Sequence, residues 1–74
     1  MFKPGDSYIH YTKHGSINKG EVQSYGESFR YDHKNGVSFK DPFFINTNNI
    51  LYHLDGRDGR FYKLIENLKL EINL

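Results

Sequence analysis

The chain has 74 residues, a net charge of +1 and no cysteine. That length points to one domain, and the missing cysteines exclude disulfides, thiol chemistry and cysteine-ligated zinc. Six Tyr, six Phe and no Trp, set in a first half poor in aliphatic side chains, assign core building to rings. Tyrosines left outside would form a contact face.

The start, Met1-Phe2-Lys3-Pro4-Gly5-Asp6, has no apolar run behind its lysine, so no secretory signal is expected. Pro4-Gly5-Asp6 reads as a turn into the first strand. Ser7 to Thr12 alternates as a strand, with Ile9 and Tyr11 on one face and Tyr8, His10 and Thr12 on the other. A polar bend from Lys13 to Asn18 follows. Lys19 to Tyr25 reads as a second strand with Val22 inward and Glu21 and Gln23 outward. Gly20 marks a bulge or a close approach of the backbone.

Ser28–His33 and Val37–Lys40 flank an Asn35-Gly36 turn and predict a hairpin. A three-residue loop, Lys34-Asn35-Gly36, pairs His33 with Val37 and Tyr31 with Phe39. This register is preferred over a two-residue loop because it collects Phe29, Tyr31, Val37 and Phe39 on one apolar face. Those four are expected inside, with Arg30, Asp32, Ser38 and Lys40 on the solvated face. Asp41-Pro42 is expected to break the strand, and Phe43-Phe44-Ile45 to begin the next.

Asn46 to Asn49 predicts a turn or a helix cap. Ile50 to Leu54 fits a helical turn or a last barrel strand. Asp55-Gly56-Arg57-Asp58-Gly59-Arg60 repeats one tripeptide and must be loop. Beyond it, Phe61, Leu64, Ile65, Leu68 and Ile72 satisfy a helical face, and a strand face fits nearly as well. The most economical division is a short helix over about 60–67 and a strand over 68–74. A terminal strand of that kind closes its own sheet or pairs with a second copy, which makes 68–74 a candidate homo-oligomer contact.

The residues Phe2 to Tyr11, then Lys19-Gly20-Glu21-Val22, and later Thr47-Asn48-Asn49-Ile50-Leu51, resemble a small KOW/Tudor-type SH3-like barrel. The Gly-Asp before strand one and the Gly-x-Val opening strand two carry the likeness. It covers about residues 2–54 and leaves 55–74 as an appendix. The resemblance implies an all-β, β-rich antiparallel barrel with a short C-terminal helix or strand. The aromatic cage of Tudor readers is not assigned to residues here, since no Trp is present and no cage pattern stands out. The Asn-, Lys-, Ile- and Tyr-rich, alanine-free composition resembles that of bacteriophage or mobile-element proteins from AT-rich genomes.

No catalytic set stands out. Asp6, Asp32, Asp41, Asp55 and Asp58 all fall at predicted turns, where Asp caps backbone amides. His10 and His14 are four apart, but on a strand and a bend they share no helical face for a metal. The expectation is therefore a non-enzymatic binding module without cofactor or metal. With no run near the ~20 apolar residues that span a bilayer, it is expected in the cytoplasm. The first candidate role is a protein–protein adaptor or inhibitor acting on a host protein or on itself. The second is nucleic-acid binding by stacking rings and cations. Tyr8, Lys13, His14, Lys19, Arg30, Lys40, Arg57 and Arg60 are the candidate contact residues. The two arginines beside the glycines of the tripeptide repeat also suit a phosphate or carboxylate.

Overall fold

The computed structural model describes residues 1–65 and 70–72. These form an all-β fold with strands β1 (Ser7–Tyr11), β2 (Ile17–Asp32), β3 (Val37–Asn46), β4 (Leu51–His53), β5 (Arg60–Leu64) and β6 (Leu70–Ile72). The antiparallel sheet runs in the order β4-β3-β2-β1-β5-β6. Among the described residues β4 and β6 are its two ends, so the expected barrel is rolled but not closed.

The roll is made by β2. Its first part pairs with β1, from Ile17 opposite Tyr11 to Glu21 opposite Ser7. Its second part pairs with β3, and the register shifts between Val22 and Ser24. Such a bulge bends and twists a strand, and here it turns one half of the sheet over the other. The Tyr8 and Phe61 rings of one half then meet Phe44 of the other at 4.9 and 5.2 Å. Phe2, Val22 and Leu54 complete the core, with Phe44 fully buried. The Pro4-Gly5 turn locks this corner: the Gly5 N–H donates to the Val22 carbonyl and the Val22 N–H to that of Asp6.

Several expectations change here. β2 is one strand of 16 residues rather than two. Gly26 does not interrupt it, because the Phe43 ring takes the space that a Cβ would occupy, 2.9 Å from its position. Gly20 serves the close approach that its position suggested: the Tyr8 hydroxyl lies 2.5 Å from where its Cβ would be. The bulge itself falls two residues later.

Pro42 does not break β3, which runs through it. The Pro42 carbonyl accepts the Leu54 N–H, so the main chain of Pro42 faces the β4 side, just past the end of the β4 ladder. No donor is needed there. Residues 60–64 are strand rather than helix, paired with β1 and with β6. Of the predicted terminal strand, Leu70–Ile72 is strand, while residues 68, 69, 73 and 74 lie outside the described residues.

The hairpin register also differs from expectation. Asp32 pairs with Val37, Tyr31 with Ser38, Arg30 with Phe39 and Phe29 with Lys40, which leaves a four-residue loop. Asp32 sets that loop: its carboxylate accepts the Lys34 and Asn35 N–H groups and the Asn35 side-chain amide, and its carbonyl accepts the Gly36 N–H. These bonds consume the residue that a three-residue loop would have left in the strand. Phe29 and Tyr31 consequently stand on one face and Val37 and Phe39 on the other. All four are exposed, Phe29 by 73% and Phe39 by 46%, so the expected interior face is instead a projecting two-stranded arm.

Candidate interaction site

The arm is the outer part of β2 and β3, from Ser28 to Asp41. In an antiparallel pair, residues opposite one another share a face. Tyr25 is opposite the buried Phe44, and its partial burial, helped by the Glu27 charge, raises its phenol pKa above the usual value. Continuing outward on that face come Glu27 with Pro42, Phe29 with Lys40, and Tyr31 with Ser38. The apolar stripe of the core thus runs on past the residues that cover it. The Tyr31 ring packs edge-on against His33 at 4.8 Å. Arg30, Tyr31, Asp32 and Phe39 line a shallow cleft of about 270 Å³.

At the base of the arm lies a charge cluster. Asp41 is buried in mid-strand rather than at a turn. Arg57 reaches over from the loop after β4 and donates to both Asp41 oxygens at 3.1 and 3.0 Å, and to both Asp55 oxygens. Arg30 lies 3.9 Å from Asp55, and His53 Nδ1 lies 3.4 Å from Asp41. Bonded by Arg57, the Asp55 carboxyl is held well below the usual carboxylate range, and Asp55 in turn raises the Arg57 guanidinium.

The second tripeptide of the repeat works inward. The Asp58 carboxylate accepts the His53 N–H at 2.6 Å, and its carbonyl accepts His10 Nε2 at 2.5 Å. His10 is buried and stacked on Phe61, ring centres 4.2 Å apart. Gly59 packs where any Cβ would strike the Tyr11 carbonyl. From Asp55 to Gly59 the repeat is loop, as its sequence required, while Arg60 opens β5; Asp55, Gly56 and Arg57 stay exposed, and Asp58 and Gly59 are half-buried. Its first half fastens β3 and its second half fastens β1 and β4.

The candidate contact residues therefore scatter. Tyr8 is withdrawn from any surface role: it is 2% exposed, its ring packs in the core, and its hydroxyl accepts the Asn46 amide at 3.0 Å. Arg57 is engaged by two carboxylates. Arg30 and Lys40 are exposed on opposite faces of the arm. Lys13 and His14 occupy the β1–β2 turn and Lys19 the exposed start of β2. Lys13 and Arg60 meet with Tyr11, Thr12, Gly56 and Gly59 around a second shallow cleft of about 320 Å³. The exposed rings Phe29, Tyr31 and Phe39 were missed as surface residues. The signal that could have found them is Asp32 two residues before Lys34-Asn35, the pattern of a side chain capping its own turn.

No protein-family model, no curated protein and no solved structure matches the chain. Among the described residues no helix is long and apolar enough to cross a membrane.

Proposed function

We propose that the chain is a non-catalytic protein-binding module, an adaptor or inhibitor that engages another protein through the β2–β3 arm. The observation that carries this reading is the exposure of Phe29, Tyr31, Val37 and Phe39 together on one projecting hairpin. A two-stranded ribbon is marginal in water by itself, and clustered exposed rings mark interaction surfaces. The clefts at Arg30 and at Lys13 are shallow, which suits contact with another macromolecule's surface.

A tagged chain incubated with cell extract tests the reading. Proteins retained by the native chain and lost with the triple variant Phe29→Ser, Tyr31→Ser, Phe39→Ser are the expected outcome. Equal retention by both chains would overturn it.

The cleft at Lys13 and Arg60 favours a second reading, nucleic-acid binding, because two cationic residues line one concavity beside Tyr11. The +1 net charge argues against it for duplex DNA, which rewards a concentrated basic face. Affinity for single-stranded nucleic acid that falls steeply with salt would support this reading. No binding at low salt would remove it.

A further inference from the structure

We infer that the outer edge of β2, from Glu27 to Tyr31, is a strand-pairing edge whose partner is the same edge of a second copy of this chain. The inference rests on the reading of the chain as a protein-binding module and assigns its edge, where that reading used its rings.

The direction of the backbone groups follows from the ladder. The Pro42 carbonyl points away from β2, to Leu54. Alternation then turns the main chain of Lys40 and Ser38 outward on the β3 edge, and that of their partners Glu27, Phe29 and Tyr31 outward on the β2 edge. β1 covers β2 as far as Glu21, and Val22 is bonded to the Gly5–Asp6 turn. Among the described residues no strand pairs with the β2 edge beyond that point.

The two edges of the arm are not alike. The β3 edge carries Lys40 and Pro42, a charge and a missing N–H, both of which discourage strand addition. The β2 edge carries three outward N–H groups and aromatic side chains at Phe29 and Tyr31. Such an edge is the surface that β-augmentation uses.

Charge permits a second copy as the partner and removes two of the registers, and the axis at Phe29 is the one centred on the Glu27–Tyr31 edge. A second copy meeting this edge across a twofold axis is antiparallel. An axis at Glu27 would oppose two carboxylates, and an axis at Arg30 two guanidinium groups. An axis at Phe29 sets the two Phe29 rings together, places Glu27 opposite Tyr31 and Ser28 opposite Arg30, and opposes no like charges. The net charge of +1 adds little long-range repulsion between copies. The ring faces stand perpendicular to this edge, so a dimer would present two of them.

Sedimentation of the full chain over a range of concentrations tests the inference. A reversible dimer is expected, weakened at least about tenfold by Phe29→Lys, which places two charges on the axis. Tyr31→Pro, which removes one outward N–H, is expected to act likewise, with far-ultraviolet circular dichroism confirming the fold of each variant. Because the chain has no native cysteine, Phe29→Cys should form a disulfide-linked dimer under mild oxidation, and Ser38→Cys on the β3 edge should not. A native chain that stays monomeric at every concentration overturns the inference. So does a dimer that survives both edge variants, which would place the contact elsewhere, β6 included. Either failure leaves the ring-dependent capture of other proteins standing, since that is read separately from extract.

Discussion

Asp41 and Arg57 lie sixteen positions apart and meet at 3.0 Å, with Asp41 in mid-strand and almost out of water. This contact ties the loop after β4 to the base of the arm. A buried carboxylate that loses its cation is costly, because its desolvation is no longer offset. Arg57→Ala is therefore expected to lower the unfolding midpoint clearly. Asp41→Ala combined with Arg57→Ala should cost less than the two single losses added together. Urea unfolding of the four chains measures this, and strict additivity would mean that the contact contributes nothing.

Core and arm should respond in opposite ways. Phe44 is fully buried, so Phe44→Ala is expected to cost about 3–5 kcal/mol. Phe29 and Tyr31 are exposed, so Phe29→Ala and Tyr31→Ala should shift stability by no more than about 0.5 kcal/mol. Both should nonetheless weaken partner capture. A loss of several kcal/mol from Phe29→Ala would place that ring in an interior.

Gly20 and Tyr8 occupy one space. Gly20→Ala would put a methyl group 2.5 Å from the Tyr8 hydroxyl, an overpacking expected to cost about 1–3 kcal/mol. Tyr8→Phe strands the buried Asn46 amide that the hydroxyl accepts, at about 1–3 kcal/mol. Removing the hydroxyl relieves part of the clash, so the double variant should be less damaged than the sum. Thermal unfolding of the single and double variants reads the difference.

The carboxyls of Asp55 and Asp32 are both held low, the first by Arg57 and the second by the Asn35 side chain above all. A group whose folded pKa lies below its unfolded value stabilises the fold above the unfolded value, about 3.9 for Asp. That contribution is lost as pH falls from there through the lower folded value. Stability should thus be flat near neutral pH from these groups and decline below about pH 4. Asp55→Asn should flatten the acid limb, as unfolding midpoints measured across that range would show.

Much of the scaffold is legible in the residues. The parity of Tyr8 and His10 against Ile9 and Tyr11, the inward Val22, the Pro4-Gly5 turn and the loop nature of the tripeptide repeat all follow from local chemistry. Pro42 misled because it is excused by something distant, an uncovered position beyond β4. Residues 60–64 misled because Phe61, Leu64 and Ile65 fit a helix face, and the pairing with β1 that decides for strand is non-local. The arm misled most. Its rings were assigned to an interior on the rule that apolar faces are covered, and Asp32 capping its own turn shifted the register that would have gathered them.

Amide hydrogen exchange at Glu27, Phe29 and Tyr31, compared between dilute and concentrated chain, tests the central claim most directly. The three outward amides should exchange fast when dilute and slow markedly on concentration, while the inward Arg30 amide of the ladder is protected throughout. Exchange at those three positions that ignores concentration, or protection already complete in the dilute monomer, would contradict an open pairing edge on β2.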